Sequence, residues 1–137
     1  MSYSLDFFLG GPKKMPSVSE LLAFMRATRG ERVVHNGRIA GVIYFHPTMG
    51  KIYVTEREYD SHVFAKWRTV GVSRDVVRRL ILEGVRYVVV YFRDRGWMMY
   101  TTPEKFMESG RQLWNKKEGD LQLHLGIGSF TPLPAKS

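Results

Sequence analysis

Between residues 32 and 58 the chain alternates apolar and polar positions in three runs separated by turn residues. Period-two alternation is the mark of a half-buried strand. The runs 32–35, 38–46 and 51–58 are therefore expected strands of a meander. Asn36-Gly37 joins the first two, and both residue types tolerate the positive φ of a two-residue type I′ turn. Pro47-Thr48-Met49-Gly50 joins the second pair and is expected to be a four-residue loop. That loop pairs His46 with Lys51, Phe45 with Ile52, Tyr44 with Tyr53 and Ile43 with Val54. Parity then places Ile39, Ile43, Phe45, Ile52 and Val54 in the core. It places Arg38, Tyr44, His46, Lys51, Tyr53 and Arg57 together on a solvent face, cations interleaved with aromatics.

Elsewhere the period lengthens to that of a helix. Val18, Leu21, Leu22 and Met25 form one apolar stripe. Ser17 and Glu20 have the spacing of a capping box, and Gly30 is the expected stop. Residues 59–72 read as a connection. A second helix is expected from a Ser73 cap to Gly84, with Val76, Val77, Leu80 and Ile81 inward and Arg74 and Arg78 outward. Arg79 precedes Glu83 by four, the spacing of a helical ion pair. Val85 to Phe92 is apolar except for Arg86, as a strand covered on both faces requires. Arg93-Asp94-Arg95-Gly96 is a turn, and Trp97 to Thr101 returns as a hairpin partner. Thr102-Pro103-Glu104 opens a short helix with proline at its first position, and Gly110 ends it. Residues 111–120 are polar, and Leu121–Leu125 is a candidate last strand.

The expected fold is thus α+β: a single domain with a mostly antiparallel sheet, a three-strand meander plus a hairpin, and helices packed on one face. Residues 1–16 are expected to be a flexible basic arm around Gly10-Gly11-Pro12-Lys13-Lys14. Residues 17–130 form the domain, and 131–137 are a proline-containing tail. A chain of 137 residues suits one domain. No apolar run approaches the roughly 20 residues of a membrane helix, and the N-terminus has no signal-peptide pattern. With no cysteine there is neither disulfide nor thiolate metal site, which fits a cytoplasmic protein.

Charge changes the picture more. The formal net charge is +8, from 21 Lys and Arg against 13 Asp and Glu, and 13 of those cations are arginine. Arginine pairs with phosphate and carboxylate through two parallel hydrogen bonds and stacks on rings. The expected partners are nucleic acid or an acidic protein surface of a nucleoprotein complex, not a membrane. A second cationic set is Arg74, Arg78, Arg93 and Arg95. Of the three tryptophans, Trp67, Trp97 and Trp114, an exposed one is a candidate binding hot spot.

Catalytic and cofactor patterns are sparse. His35, His46, His62 and His124 have no helical i, i+3 or i, i+4 spacing, and no His-Glu-x-x-His occurs. Gly126-x-Gly128 does not open a helix as a phosphate loop does. No cofactor, metal ligand or catalytic residue is expected. The order α-β-β-β-α-β is similar to the core of the PD-(D/E)xK nucleases, which hold metal with an acid on the second strand and Glu-x-Lys on the third. Here strand 38–46 carries no acid, and strand 51–58 carries Glu56-Arg57-Glu58 instead. Gly41-Val42-Ile43-Tyr44 with Tyr53-Val54-Thr55 resembles the hairpin of GIY-YIG nucleases over about 15 residues. Thr55 stands where that family has glycine. The resemblance implies an arginine at Arg57 or Arg68 and a metal-binding Glu83.

Three functions follow in order. The first is a non-enzymatic regulator that binds nucleic acid or a transcription or replication machine, as phage-type regulators do. The second is a protein–protein inhibitor docking on an acidic surface such as that of a polymerase. The third is a divergent metal-dependent nuclease.

Overall fold

The computed structural model describes residues 22–23, 25–61 and 66–133. Its strands are β1 (Thr28–His35), β2 (Arg38–His46), β3 (Gly50–Arg57), β4 (Thr69–Ser73), β5 (Tyr87–Phe92), β6 (Trp97–Thr101), β7 (Arg111–Asn115), β8 (Asp120–Gly126) and β9 (Thr131–Leu133). Helix α1 spans Arg74–Leu82 and α2 spans Pro103–Ser109; a 3₁₀ turn covers Ile127–Ser129. Two sheets result. A six-stranded sheet has the order β1-β2-β3-β5-β6-β9, and a three-stranded sheet the order β4-β8-β7. Among the described residues no helix is long and apolar enough to cross a membrane.

The α+β class holds, but the large sheet is mixed. β3 and β5 run parallel, and the other pairs are antiparallel. The chain leaves β3, forms β4 and α1, and returns as β5; a parallel neighbour requires such a crossover. Arg93–Gly96 turns β5 into β6 as expected. At the helix after it, the Thr102 hydroxyl accepts from the Lys105 N–H at 3.1 Å, and proline opens the first turn.

The meander has the expected strands and first turn: Asn36 and Gly37 have φ of 51° and 73°. Its second turn is shorter than expected. His46 pairs with Gly50, Phe45 with Lys51, Tyr44 with Ile52 and Ile43 with Tyr53. The loop is the three residues 47–49, closed by Gly50 in the left-handed region at φ 78°, the usual form of a three-residue hairpin. The His46 ring favours this closure, because its Nδ1 accepts the backbone N–H of Thr48 (3.2 Å) and of Met49 (3.1 Å).

One residue of slip inverts a strand's faces. The expected basic–aromatic face therefore does not exist. Tyr44 and Tyr53 are buried at 3% and 1% exposure, on opposite sides of the sheet, while Phe45 and Ile39 are exposed at 51% and 55%. Tyr53 and Ile43 join Val88, Val90 and Phe92 in a core roofed by Val76, Val77 and Leu80 of α1, Phe106 of α2, and Val70, Val72, Leu123 and Leu125 of the small sheet. Tyr44, Ile52 and Val54 join Val89, Tyr91 and Met98 on the other face, under Leu22, Met25 and Leu133. Helical residues thus lie on both faces of the sheet rather than one. Burying each such apolar side chain contributes about 1.5–3 kcal/mol.

Other boundaries move as well. The Ser17–Glu20 capping box and the basic arm lie outside the described residues. Gly30 does not stop the first helix. That segment ends at Arg26, which takes φ 62°, with Arg26 N–H bonded to Ala23 O and Ala27 N–H to Leu22 O. Gly30 lies within β1, where a β-carbon would meet Phe45 Cε2 at 2.9 Å. Ser73 precedes α1 without capping it; its buried Oγ has no hydrogen-bond partner. Residues 69–72 of the expected connection, with Ser73, are β4, and residues 111–115 of the expected polar stretch are β7. The start of the expected tail is a strand too: Thr131–Leu133 pairs with β6.

Candidate functional cleft

The sequence-predicted site residues disperse. Arg38 is exposed and faces Glu118 at 3.7 Å. Arg93 pairs with Glu58 at 3.5 Å and Arg95 with Asp60 at 2.9 Å. Lys51 Nζ donates to the Glu83 carbonyl at 2.9 Å. His46 serves its turn, and burial holds its pKa below the usual value. Arg78 is exposed on α1, and Arg74 is half-buried with its Nε unpartnered. Tyr44 and Tyr53 are core, and burial pushes the Tyr53 hydroxyl up to about 12. Of the expected face only Arg57 reaches a substantial cavity.

That cavity is a cleft of about 550 Å³ on the polar side of the small sheet. Register builds its wall. Gly71 of β4 pairs with His124 of β8, His124 with Arg111 of β7, and Gln122 with Leu113. Leu123 and Leu125 point into the core, so their neighbours Gln122 and His124 point away from it. Arg57, Ser61, Thr69, Lys116, Asn115 and Trp114 complete the lining, and no aspartate or glutamate belongs to it.

Two hairpin tips hold the wall against the large sheet. His35 Nε2 meets Asp120 Oδ2 at 2.6 Å, and Asn36 Nδ2 donates to the Glu118 carbonyl at 3.0 Å. These partners lie 85 and 82 residues apart in sequence. The turn at Asn36-Gly37 thereby fixes the position of the β7–β8 hairpin.

Arg57 is set in the cleft by its own strand. Nη1 donates to Thr55 Oγ1 at 2.7 Å and to the Glu56 carbonyl at 2.8 Å; Nη2 donates to the Gly71 carbonyl at 2.9 Å. Thr55 in turn donates to the Ala40 carbonyl at 2.9 Å. All the acceptors are neutral, and none of the ion pairs among the described residues includes Arg57. Burial lowers the Arg57 pKa, as desolvating a cation must. His124 is held below the usual histidine range, first by burial, then by the charges of Arg57 and Arg111. Its imidazole is therefore neutral at pH 7.

At the rim, Trp114 is 62% exposed on an edge strand. Arg111, Lys116 and Lys117 lie beside it in sequence and form no ion pair among the described residues. The arrangement can hold an anion and offer a ring for stacking. Sequence reading missed His124, Gln122, Asn115, Arg111 and Lys116. The available signal was the alternation of Gln122 and His124 with Leu121, Leu123 and Leu125.

The nuclease resemblances find little geometric support. Tyr44 and Tyr53 project to opposite faces, whereas a shared site needs them on one. Glu83 bonds Arg79 Nε at 2.5 Å, which holds its carboxyl below the usual range. Among the described residues no three His, Asp or Glu side chains cluster as metal ligands. Comparison with protein-family models, with curated proteins and with solved structures finds no match to this chain.

Proposed function

We propose that the protein is a non-enzymatic binding module that engages single-stranded nucleic acid, free or within a nucleoprotein machine, along β7 and the cleft beside it. The observation that carries this reading is Trp114, exposed on an edge strand, with Arg111, Lys116 and Lys117 close to it in sequence and paired with no acid among the described residues. Single strands are held by bases stacked on aromatic rings and by cations that track the phosphates. Arg38, Arg93 and Arg95 are already paired with carboxylates and offer less.

A second reading, docking on an acidic protein surface, draws support from Leu113 and Trp114, exposed at 39% and 62% on the edge strand β7. An apolar centre with a cationic rim suits a protein partner. The deciding experiment is a salt titration of binding to a labelled single-stranded oligonucleotide. A log–log slope of roughly −0.7 per phosphate contact supports the strand. No binding at about 50 mM salt, with an acidic protein retained from lysate after nuclease treatment, favours docking.

A further inference from the structure

We propose that Arg57 is the floor of a binding site for a phosphoryl oxyanion. This goes beyond the strand-binding reading, which stands on Trp114 and the cations of β7; the present inference stands on the interior of the cleft. A guanidinium carries five N–H donors. Three of those of Arg57 go to the Thr55 hydroxyl and to the Glu56 and Gly71 carbonyls. The Nε–H and one Nη2 N–H have no protein acceptor among the described residues. Two donors on a fixed planar group are what a two-point contact with one phosphoryl group uses.

The charge argument is stronger than the count. Arg57 is half-buried, and even partial withdrawal of a cation from water without a counter-charge is unfavourable. Most such cations in proteins are paired, yet Arg57 has only neutral acceptors. An anion from solution offsets that cost, and the anchoring bonds to Thr55 and Gly71 mean the guanidinium is ordered before the ligand arrives.

The surrounding groups agree in sign. The His124 ring makes no hydrogen bond among the described residues and lies against Gly71, whose carbonyl accepts Arg57; a β-carbon at Gly71 would lie 2.6 Å from its Cε1. Asn115 Oδ1 accepts from the Glu118 N–H at 3.0 Å, which leaves its amide nitrogen as a donor. Gln122 and Lys116 supply further donors to the lining. The nearest acid on the same face of β8, Asp120, meets His35 through Oδ2 at 2.6 Å, while its Oδ1 is buried and has no hydrogen-bond partner among the described residues. Glu56 is the sequence neighbour of Arg57 and points to the opposite side of β3. A cavity of about 550 Å³ also has room for more than bare phosphate. The phosphoryl group could come from a free phosphate or phosphomonoester, or from a phosphodiester of a bound strand.

The test uses the full chain labelled with ¹⁵N and follows the Arg57 Nε–Hε resonance with the Gly71 and His124 amides. Three probes are titrated at fixed ionic strength against a sodium chloride control: inorganic phosphate, adenosine 5′-monophosphate, and an oligonucleotide without terminal phosphates. Saturable shifts with phosphate and the mononucleotide identify a monoester site. Saturable shifts with the oligonucleotide alone identify a strand phosphodiester. Either result supports the proposal. Arg57→Lys, which keeps the charge but loses the fork, should weaken the effective probe at least tenfold. Should that variant not fold, the wild-type resonances still decide, and Gln122→Ala should weaken binding about threefold. Shifts absent with all three probes, or matched by chloride, overturn the inference. Phosphate binding that persists in Trp114→Ala, with no oligonucleotide binding in either protein, would sink the strand reading and leave this one standing.

Discussion

Gly71 and His124 are cross-strand partners on β4 and β8, and the imidazole occupies the space a β-carbon at residue 71 would need. That β-carbon would stand 2.6 Å from Cε1 and 2.8 Å from Nε2. Glycine here keeps the His124 ring over the small sheet, and its carbonyl accepts Arg57. Gly71→Ala should therefore displace the ring toward the cleft or strain the β4–β8 ladder. Overpacking of this kind costs about 1–3 kcal/mol. Thermal unfolding should show the loss, and the His124 ring resonances should shift while those of His46 stay in place. Unchanged stability and an unmoved His124 ring would contradict this account of the wall.

The hairpin register gives a sharper contrast. Phe45 is half exposed and Tyr53 is fully enclosed. Phe45→Ser should change stability by less than about 1 kcal/mol, as surface changes do. Tyr53→Ala should cost about 3–5 kcal/mol, in the range of large aromatic truncations. Equilibrium denaturation separates the two. The four-residue-loop register demands the opposite order, so this pair of variants discriminates between the two loop lengths directly.

The same loop marks how far the sequence could be read. Asn36-Gly37 specified its turn because both residue types tolerate positive φ and the alternation on either side agreed with it. Pro47 to Gly50 was compatible with three or four residues, and only the positive φ of Gly50 with the bonds to His46 chose between them. Alternation along β2 and β3 could not help, because both faces of the central sheet are buried and Tyr44, Tyr53 and Thr55 are accepted inside. Val88 to Phe92 was legible for the same reason, since an unbroken apolar run has no other home. β7 was not legible: Arg-Gln-Leu-Trp-Asn is an exposed edge strand with no apolar face of its own. The cleft depends on His35–Asp120 and Arg57–Gly71, contacts between distant segments that no local pattern encodes.

Acid should weaken the fold through two histidines. Burial lowers the pKa of His46 and leads the causes that lower that of His124. The folded state then binds their protons less readily than the unfolded chain, whose histidines titrate near 6.5. Their contribution is complete above about pH 6.5 and is lost as pH falls through the folded pKa values. Denaturant midpoints measured from pH 8 to pH 5 should decline across that window. His46→Asn, which can still accept from the loop N–H groups, should decline less steeply than wild type. A midpoint unchanged over the range would show that neither ring is held neutral by its surroundings.

The strand-binding reading predicts a division of labour along β7. Trp114 is exposed, so Trp114→Ala should leave stability within about 0.5 kcal/mol. It should lower oligonucleotide affinity by about 1–3 kcal/mol with little change in salt slope, because stacking is not ionic. Lys116→Ala and Arg111→Ala remove cations that have no acid partner among the described residues, so each should flatten the slope by roughly 0.7, the value of one single-strand phosphate contact. Arg38→Ala and Arg95→Ala serve as internal controls, since Glu118 and Asp60 already neutralise them. The slope should stay near the wild-type value in both. Fluorescence anisotropy between about 50 and 200 mM salt measures affinity and slope together. Equal effects from the paired and unpaired cations would mean that the strand follows the overall positive field rather than β7. An acidic protein partner gives a further pattern: the cation variants change mainly the association rate, and oligonucleotide does not compete.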